Sequence, residues 1–544
     1  MGFSGALTII CAMLTKKQLE PKPFKPAPAE SFLPSKQSIT GLRYALARSN
    51  RCLFTPATGL IAAGLLAGIS LGGPAQAQQT PTMSAGATPA APYAAQPSSP
   101  SAGLVNDWLR EQSPGFSDWD IGGQIRGRFE FKDGFAVANR AAADFAAKGD
   151  ANNTYFLLRE RLHLGYAPAT WLKLYGEMQD AGAYWDDRNP SPDNDHVMLR
   201  QAWVGLGDSS QFPLTLKAGR QELIYGDQRL VGIADWLNIG RVFDAVKLRY
   251  ETAAFWIDAF VSQPVIPDRF EFDESDPHDR FSGLYASTRK LIPFQESQLY
   301  FLAHNVDEHS ATEQNDKLYP LASPRDIYTI GGRVKSLPQK LNGWDYEAEV
   351  AAQFGRFKYS NTTPSLEQRA LAAHVAGGYT WTNTPGTPRL GVEYNFASGD
   401  SNPNDGKHGT FDNLFPSNHG LYGIMDFFSL QNMQDLHMGG SIKPIKKVTI
   451  KLDGYAFWLA DTQDYFYSAN GAPRKTGGYG LTPKAGSYVG SEVDLSGNYA
   501  ITQYASFQAG FGHFFKGDYI TDSLATHGGA KDANYVFAQV YFNF

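Results

Sequence analysis

The last eleven residues, Asn534-Tyr-Val-Phe-Ala-Gln-Val-Tyr-Phe-Asn-Phe544, alternate strictly between two registers. Val536, Ala538, Val540, Phe542 and Phe544 fall on one face; Tyr535, Phe537, Gln539, Tyr541 and Asn543 fall on the other. A period of two marks a strand, and about ten residues is the length that crosses a bilayer when a strand is tilted. At the edge of a soluble sheet such a strand would stay unprotected, whereas in a closed barrel it pairs with the first strand and no edge remains. The competing reading is the end strand of a soluble β-sandwich.

The same alternation fills the chain from about Gly115 onward, in segments of about eight to twelve residues divided by turn-rich or charged stretches. Trp119, Ile121, Ile125, Phe129 and Phe131 oppose Asp120, Gln124, Arg126, Arg128 and Glu130. Leu390, Val392, Tyr394 and Phe396 oppose Arg389, Glu393 and Asn395. Val448–Trp458 puts Lys451 and Asp453 on one side, and Tyr488–Tyr499 sets Glu492, Asp494, Ser496 and Asn498 against Val489, Val493 and Leu495. One strand fits less well, since Arg159, Arg161 and His163 share a register and leave Glu160 on the apolar side.

A sandwich buries its apolar faces against each other. Here those faces are rich in aromatics and glycine (35 Phe, 27 Tyr, 54 Gly), and the opposite faces carry charges strand after strand. No apolar run beyond the N-terminus approaches the 18 residues of a membrane helix. The pattern predicts an all-β fold, a single transmembrane antiparallel up-and-down barrel over 116–544. At about 22–26 residues per strand and loop, it gives about 16–20 strands; the expectation is 18.

Before the barrel, Arg43, Arg48 and Arg51 precede the apolar run Gly59–Leu71, and Ala75-Gln76-Ala77 offers a small-residue cleavage site. Residues 1–77 read as a signal peptide with an extended leader. Residues 78–115, dominated by Ala, Pro, Ser and Thr, read as a flexible periplasmic lead-in, with a short helical turn at Leu104–Arg110. Both cysteines, Cys11 and Cys52, lie before the cleavage site, so the processed chain draws on no disulfide. Processing removes eight of the 48 basic and two of the 54 acidic residues and leaves a formal charge of −12. An acidic balance argues against nucleic acid as a partner.

Two stretches are more particular. One is Gly219-Arg-Gln-Glu-Leu-Ile-Tyr-Gly-Asp-Gln-Arg-Leu-Val-Gly232 with Asp235-Trp236 and Arg241-Val-Phe-Asp-Ala-Val-Lys247; the other runs from Ser398-Gly-Asp400 through Thr410-Phe411, Leu414-Phe415-Pro416, His419 and Tyr422-Gly423 to Asp426. With Arg159-Glu-Arg161 they resemble the alginate export family over about residues 116–544. The resemblance implies an 18-stranded bacterial outer-membrane barrel whose narrow, arginine-lined pore passes an anionic polysaccharide, with periplasmic export proteins as further partners. It carries over Arg126, Arg128, Arg159, Arg161, Arg220, Arg241, Lys247 and Arg249 as pore-lining candidates. The terminal Phe544 also resembles the assembly signal read by the barrel-assembly machinery.

Physical chemistry supports part of this. Arg126/Arg128 and Arg159/Arg161 are i, i+2 pairs, so each pair points to one side of its strand. Facing lipid at the midplane, each arginine would cost about 2–4 kcal/mol, which places the pairs inside. Guanidinium forks match carboxylates and stay charged, so a ring of them would attract a polyuronate. The same arginines can equally brace the wall through Glu130, Glu177, Glu347 or Asp494. The acids Asp186, Asp187, Asp193 and Asp195 and the run 271–279 sit in expected loops, as calcium ligands or simply solvated. Asp400–Gly406 departs from a calcium loop, with Pro403 inside it and Phe411 at position twelve, and reads as turn chemistry. No cofactor is expected. His419 and Asp426 come without a serine nucleophile signature, so no enzyme is expected.

The leading reading is thus a channel exporting or conducting an alginate-like polyuronate. An anion-selective diffusion porin for small carboxylates is the alternative. A porin needs a loop folded into its lumen; an exporter needs a conduit open along its length. An outer-membrane hydrolase would gather His, Asp and Ser at one rim, and a soluble propeller or adhesin would show a blade repeat; neither pattern is present in the sequence.

Overall fold

The computed structural model describes residues 103–135, 145, 152–188, 191–269, 272–307, 310, 323–360, 362–473, 485–525 and 530–544. The leader and most of the lead-in lie outside the described residues; of the lead-in, Leu104–Gln112 forms a helix, α1.

Eighteen long strands follow: β1 Trp119–Asp133, β2 Asn153–Ala169, β3 Leu172–Tyr184, β4 Asp195–Leu206, β5 Leu214–Gln221, β6 Phe243–Glu251, β7 Phe255–Ile266, β8 Asp279–Thr288 and β9 Gln295–Val306. The ring continues with β10 Arg325–Ser336, β11 Trp344–Phe357, β12 Leu366–Thr380, β13 Arg389–Ala397, β14 Met433–Ile445, β15 Val448–Leu459, β16 Tyr488–Ala500, β17 Ala505–Lys516 and β18 Ala533–Asn543. Each pairs antiparallel with the next, and β18 pairs with β1 from Gln124↔Asn543 to Asp133↔Asn534. The sheet is a closed antiparallel barrel of 18 strands. Phe544 extends the seam, exchanging 2.9 Å backbone hydrogen bonds with Gly123 in both directions.

Its surfaces are inverted relative to a soluble protein. Leu162, Val261, Leu299, Ile330, Leu390, Met438, Leu452 and Leu495 point outward and stay exposed, while Arg126, Arg159, Arg200, Asp435 and Glu492 are buried inside. Exposed apolar side chains around a whole ring fit a hydrocarbon solvent. The outlier is where the sequence placed it: Glu160 faces outward opposite Asp180, and Asp180 holds the His196 imidazole at 2.9 Å.

One rim carries the short connections, from 170–171 to 381–388, and α1 sits there. Its Asn106 bridges Asp120 and the Ile121 amide at 2.6 Å each, and its Asp107 accepts from Tyr504. The other rim carries the longer connections, including 222–242 (L3) and 398–432 (L7). β4 pairs with the short β5 only over Ala202–Leu206, so the stretch Asp195–Gln201 has no β5 neighbour.

Candidate functional site in the barrel lumen

Both loops with the distinctive sequence motifs turn inward. A turn of L3 at 235–239 drives its backbone carbonyls against β1, β2 and β4, where each must find a donor. Guanidinium groups supply them. Arg126 donates to Asp235 O (2.8 Å), Trp236 O (3.2 Å), Leu237 O (3.1 Å) and the Asn238 side chain (3.1 Å). Arg159 donates to Asp235 O at 2.9 Å and lies 3.1 Å from its carboxylate, which Arg161 reaches at 2.8 Å. Arg200 takes Ile239 O (3.0 Å) and Glu222 (2.7 Å). Arg128 joins Trp236 O (2.6 Å) to Glu130 (2.7 Å) and lies 4.0 Å over the Trp236 ring. Burial works to raise the Asp235 carboxyl, but the Arg159, Arg161 and Arg200 guanidiniums hold it well below the usual carboxylate range. Gly240, at φ +78°, closes the turn; a Cβ there would sit 2.9 Å from Arg200 Nη1.

L3 then crosses to the far side. Tyr225 stacks on Tyr285 of β8 at 4.5 Å and donates to Asp258 of β7. Arg229 reaches Asn395 of β13 (2.9 Å) and Tyr422 of L7 (3.0 Å). L3 and L7 are joined through Gly232 N to Phe415 O (2.7 Å), Phe415 N to Leu230 O (3.0 Å) and Ser417 N to Gln228 O (2.9 Å). Arg241 closes the joint on Pro416 O at 2.9 Å. His419, paired with Asp426 at 2.9 Å, stacks on Trp236 with ring centroids 3.6 Å apart.

L7 is anchored on the opposite chemistry. Its Met425 and Ile424 amides donate to the Glu492 and Asp494 carboxylates of β16 at 3.0 and 3.1 Å. Gly423, at φ +83°, makes the approach feasible, because a Cβ there would land on the Glu492 carboxylate. Arg325 of β10 and Gln353 of β11 grip Asp412 farther along.

The eight candidates therefore separate. Arg126, Arg128 and Arg159 are buried against L3, Arg161 shares Asp235, and Arg241 stands on L3 itself. Lys247 and Arg249 point inward from β6, where Arg249 forks onto Asp258 (2.6 Å) beneath Trp256 and Lys247 lies 3.8 Å from the same carboxylate. Arg220 is a correction. It follows Leu216 and Ala218 in the outward register of β5, pairs with Asp244 at 2.9 Å and donates to Asp273 O. The expectation went astray because β5 ends one residue later and gives too little alternation to fix a face. Of the bracing acids, Glu130 takes Arg128, Glu177 lies 3.9 Å from Arg161 and 3.4 Å from Arg200, and Glu347 takes Arg333, while Asp494 instead anchors L7.

Several inward cations escaped sequence reasoning, among them Arg200, Lys217 and Arg229. Arg200 turns inward because β4 is bulged against β3 between Met198 and Gln201. Lys217 faces Lys247 across β5–β6 and lies 4.0 Å over Trp203; three residues from Arg220 it takes the opposite face, so placing Arg220 inside hid it. Arg229 stood in the quoted motif without a strand to aim it. Asp227, Glu347 and His374 come close enough to share a metal ion, but Arg229 already holds Asp227 and Arg333 and Lys335 hold Glu347. Asp400 and Asp405 cap their own turns through the Asn402 and Lys407 amides.

Compared with known proteins, residues 118–536 match the family model described as alginate export. The chain belongs to the alginate export family. No curated protein matches it in sequence. Among solved structures, Pseudomonas aeruginosa OpdQ shares 10% identity at a TM-score of 0.51, over 78% of this chain and 98% of its own. OpdL of the same organism gives 10% and 0.49 over 78% and 99%. At such identity the likeness to OpdQ is one of fold. A family member built as a closed barrel with an apolar outer band resides in the bacterial outer membrane.

Proposed function

We propose that this alginate export family barrel conducts a polyuronate, a carboxylate-bearing polysaccharide, along the half of its lumen formed by β1–β6, with the joined L3–L7 unit as its constriction. The observation that carries this reading is the inward set Arg126, Arg128, Arg159, Arg161, Arg200, Lys217, Lys247 and Arg249 on that half. Most of these are engaged with L3 or an acid, whereas Arg161, Lys217 and Lys247 keep part of their surface open. Exchangeable guanidinium and ammonium contacts attract carboxylates while letting a chain slide.

A second reading has its own support. L3 and L7 lie inside the lumen, the arrangement expected of a selective diffusion channel for small carboxylates. Planar-bilayer recording separates the two. A polyuronate chain that blocks the current at micromolar concentration, where acetate and succinate only permeate, supports the polymer reading. Free permeation of succinate without block by the polymer favours the second, and a cation-selective reversal potential sinks both.

A further inference from the structure

The 272–278 segment that follows β7 folds back on the end of that strand. Within it, Glu274–Ser275 pairs with Val265–Ile266, and Asp276 N bonds Pro264 O at 2.9 Å. This segment brings Asp273 onto Asp195, the first residue of β4. Both carboxyl groups are buried, at 1% and 0% exposure. The two side chains interact directly; Asp273 Oδ1 accepts from the Asp268 amide at 2.8 Å, while neither Asp195 oxygen nor Asp273 Oδ2 has a hydrogen-bond donor among the described residues. Other charges compound the problem. Asp268 and Asp180 add negative field at Asp195, and the Arg220 guanidinium is turned to Asp244 and to the Asp273 backbone carbonyl.

Two desolvated carboxylates set face to face are costly unless a cation lies between them. We infer that Asp195 and Asp273 form a divalent-cation site, suited to calcium, that fastens the 272–278 segment to the unpaired half of β4. Hard cations take oxygen ligands only, and calcium accepts the irregular shell that two carboxylates, backbone carbonyls and water provide. The packing around it is thin, since Ala181, Met198, Ile239, Val242 and Val265 are the buried apolar side chains there. A metal clip would therefore bear much of the attachment. Only in the fold do these two acids meet, since 78 positions of sequence separate them.

The test uses detergent-purified barrel, Asp195→Asn/Asp273→Asn, and Asp187→Asn as a control at an exposed loop acid. Heat-modifiable migration on a gel establishes that each is folded. Equilibrium dialysis with radioactive calcium should find about one more ion on the parent and on the control than on the double variant. Chymotryptic cleavage after the exposed Phe272 should slow about tenfold with calcium in the parent and stay unchanged in the double variant. Equal calcium binding by all three overturns the proposal. So does cleavage that ignores chelator but slows as pH drops from 8 to 5, because a shared proton would then hold the pair.

Discussion

The two loops inside the barrel are held by opposite halves of the peptide bond. On β1, β2 and β4, arginines grip L3 by its carbonyl oxygens; on β16, carboxylates grip L7 by its amide hydrogens. The difference lies in multiplicity. Arg126 alone meets four acceptors, and Asp235 gathers two further arginines, whereas the acid side offers one bond per carboxylate. A charged donor with several partners loses them together when it is truncated, and the carbonyls left behind stay buried. L3 is thus the more firmly held loop, and L7, joined to it through Phe415, follows whichever side is disturbed.

The largest expected effect comes from removing the stronger grip. Arg126→Ala with Arg159→Ala should release the 235–239 turn, costing on the order of 3–5 kcal/mol by analogy with breaking buried pairs. Single-channel conductance should rise several-fold. Unchanged conductance in a folded double variant would show that L3 is not the constriction.

Second in size is the acid side. Glu492→Gln with Asp494→Asn keeps the shape and one acceptor on each group but removes the charge, so the loss should be about 1–2 kcal/mol. Anion selectivity should increase, because the negative charge this buried pair carries disappears, while conductance changes less than twofold. Gly423→Ala sharpens the same point. It introduces a side chain where the Glu492 carboxylate sits and asks for a left-handed backbone, so it should displace L7 without altering any charge. If Gly423→Ala matches the charge-removing double variant in conductance but not in selectivity, position and charge have been separated.

How far this contrast could be read beforehand depends on the span of the contacts. Facing in β1, β13, β15, β18 and most of β16 was legible because period two is a local property, and the arginine pairs of β1 and β2 announced the inside of the wall. Val489, expected beside Val493 and Leu495, is instead the extra residue of a bulge against β15 and is buried with Phe457 and Phe514. What those arginines hold was not legible. Arg126 meets Asp235 across 109 positions, and L3 has no periodicity to declare that it turns inward. Arg200 was hidden by a bulge, and Arg220 was misplaced by a strand too short to show its face. The partner of each charge is a matter of tertiary geometry, and only its side of the wall belongs to the sequence.

The smallest expected effect concerns pH. Asp235 has its folded-state titration depressed by Arg159, Arg161 and Arg200, so the stability it contributes is complete above the ordinary carboxylate range and is lost only as pH falls through the depressed value. Between pH 5 and 8 the L3 grip should therefore not titrate, and conductance of the parent barrel should vary by less than about 20%, measured at constant ionic strength because surface charges are screened. With Asp235→Asn the two arginines lose their shared carboxylate while Arg126 keeps its backbone acceptors. The turn should stay in place, and the freed Arg161 should push the reversal potential toward anions at every pH in that range. A reversal potential that instead moves with pH in the parent but not in Asp235→Asn would place a titrating Asp235 in the conduction path, and the arginine grip would be weaker than its geometry implies.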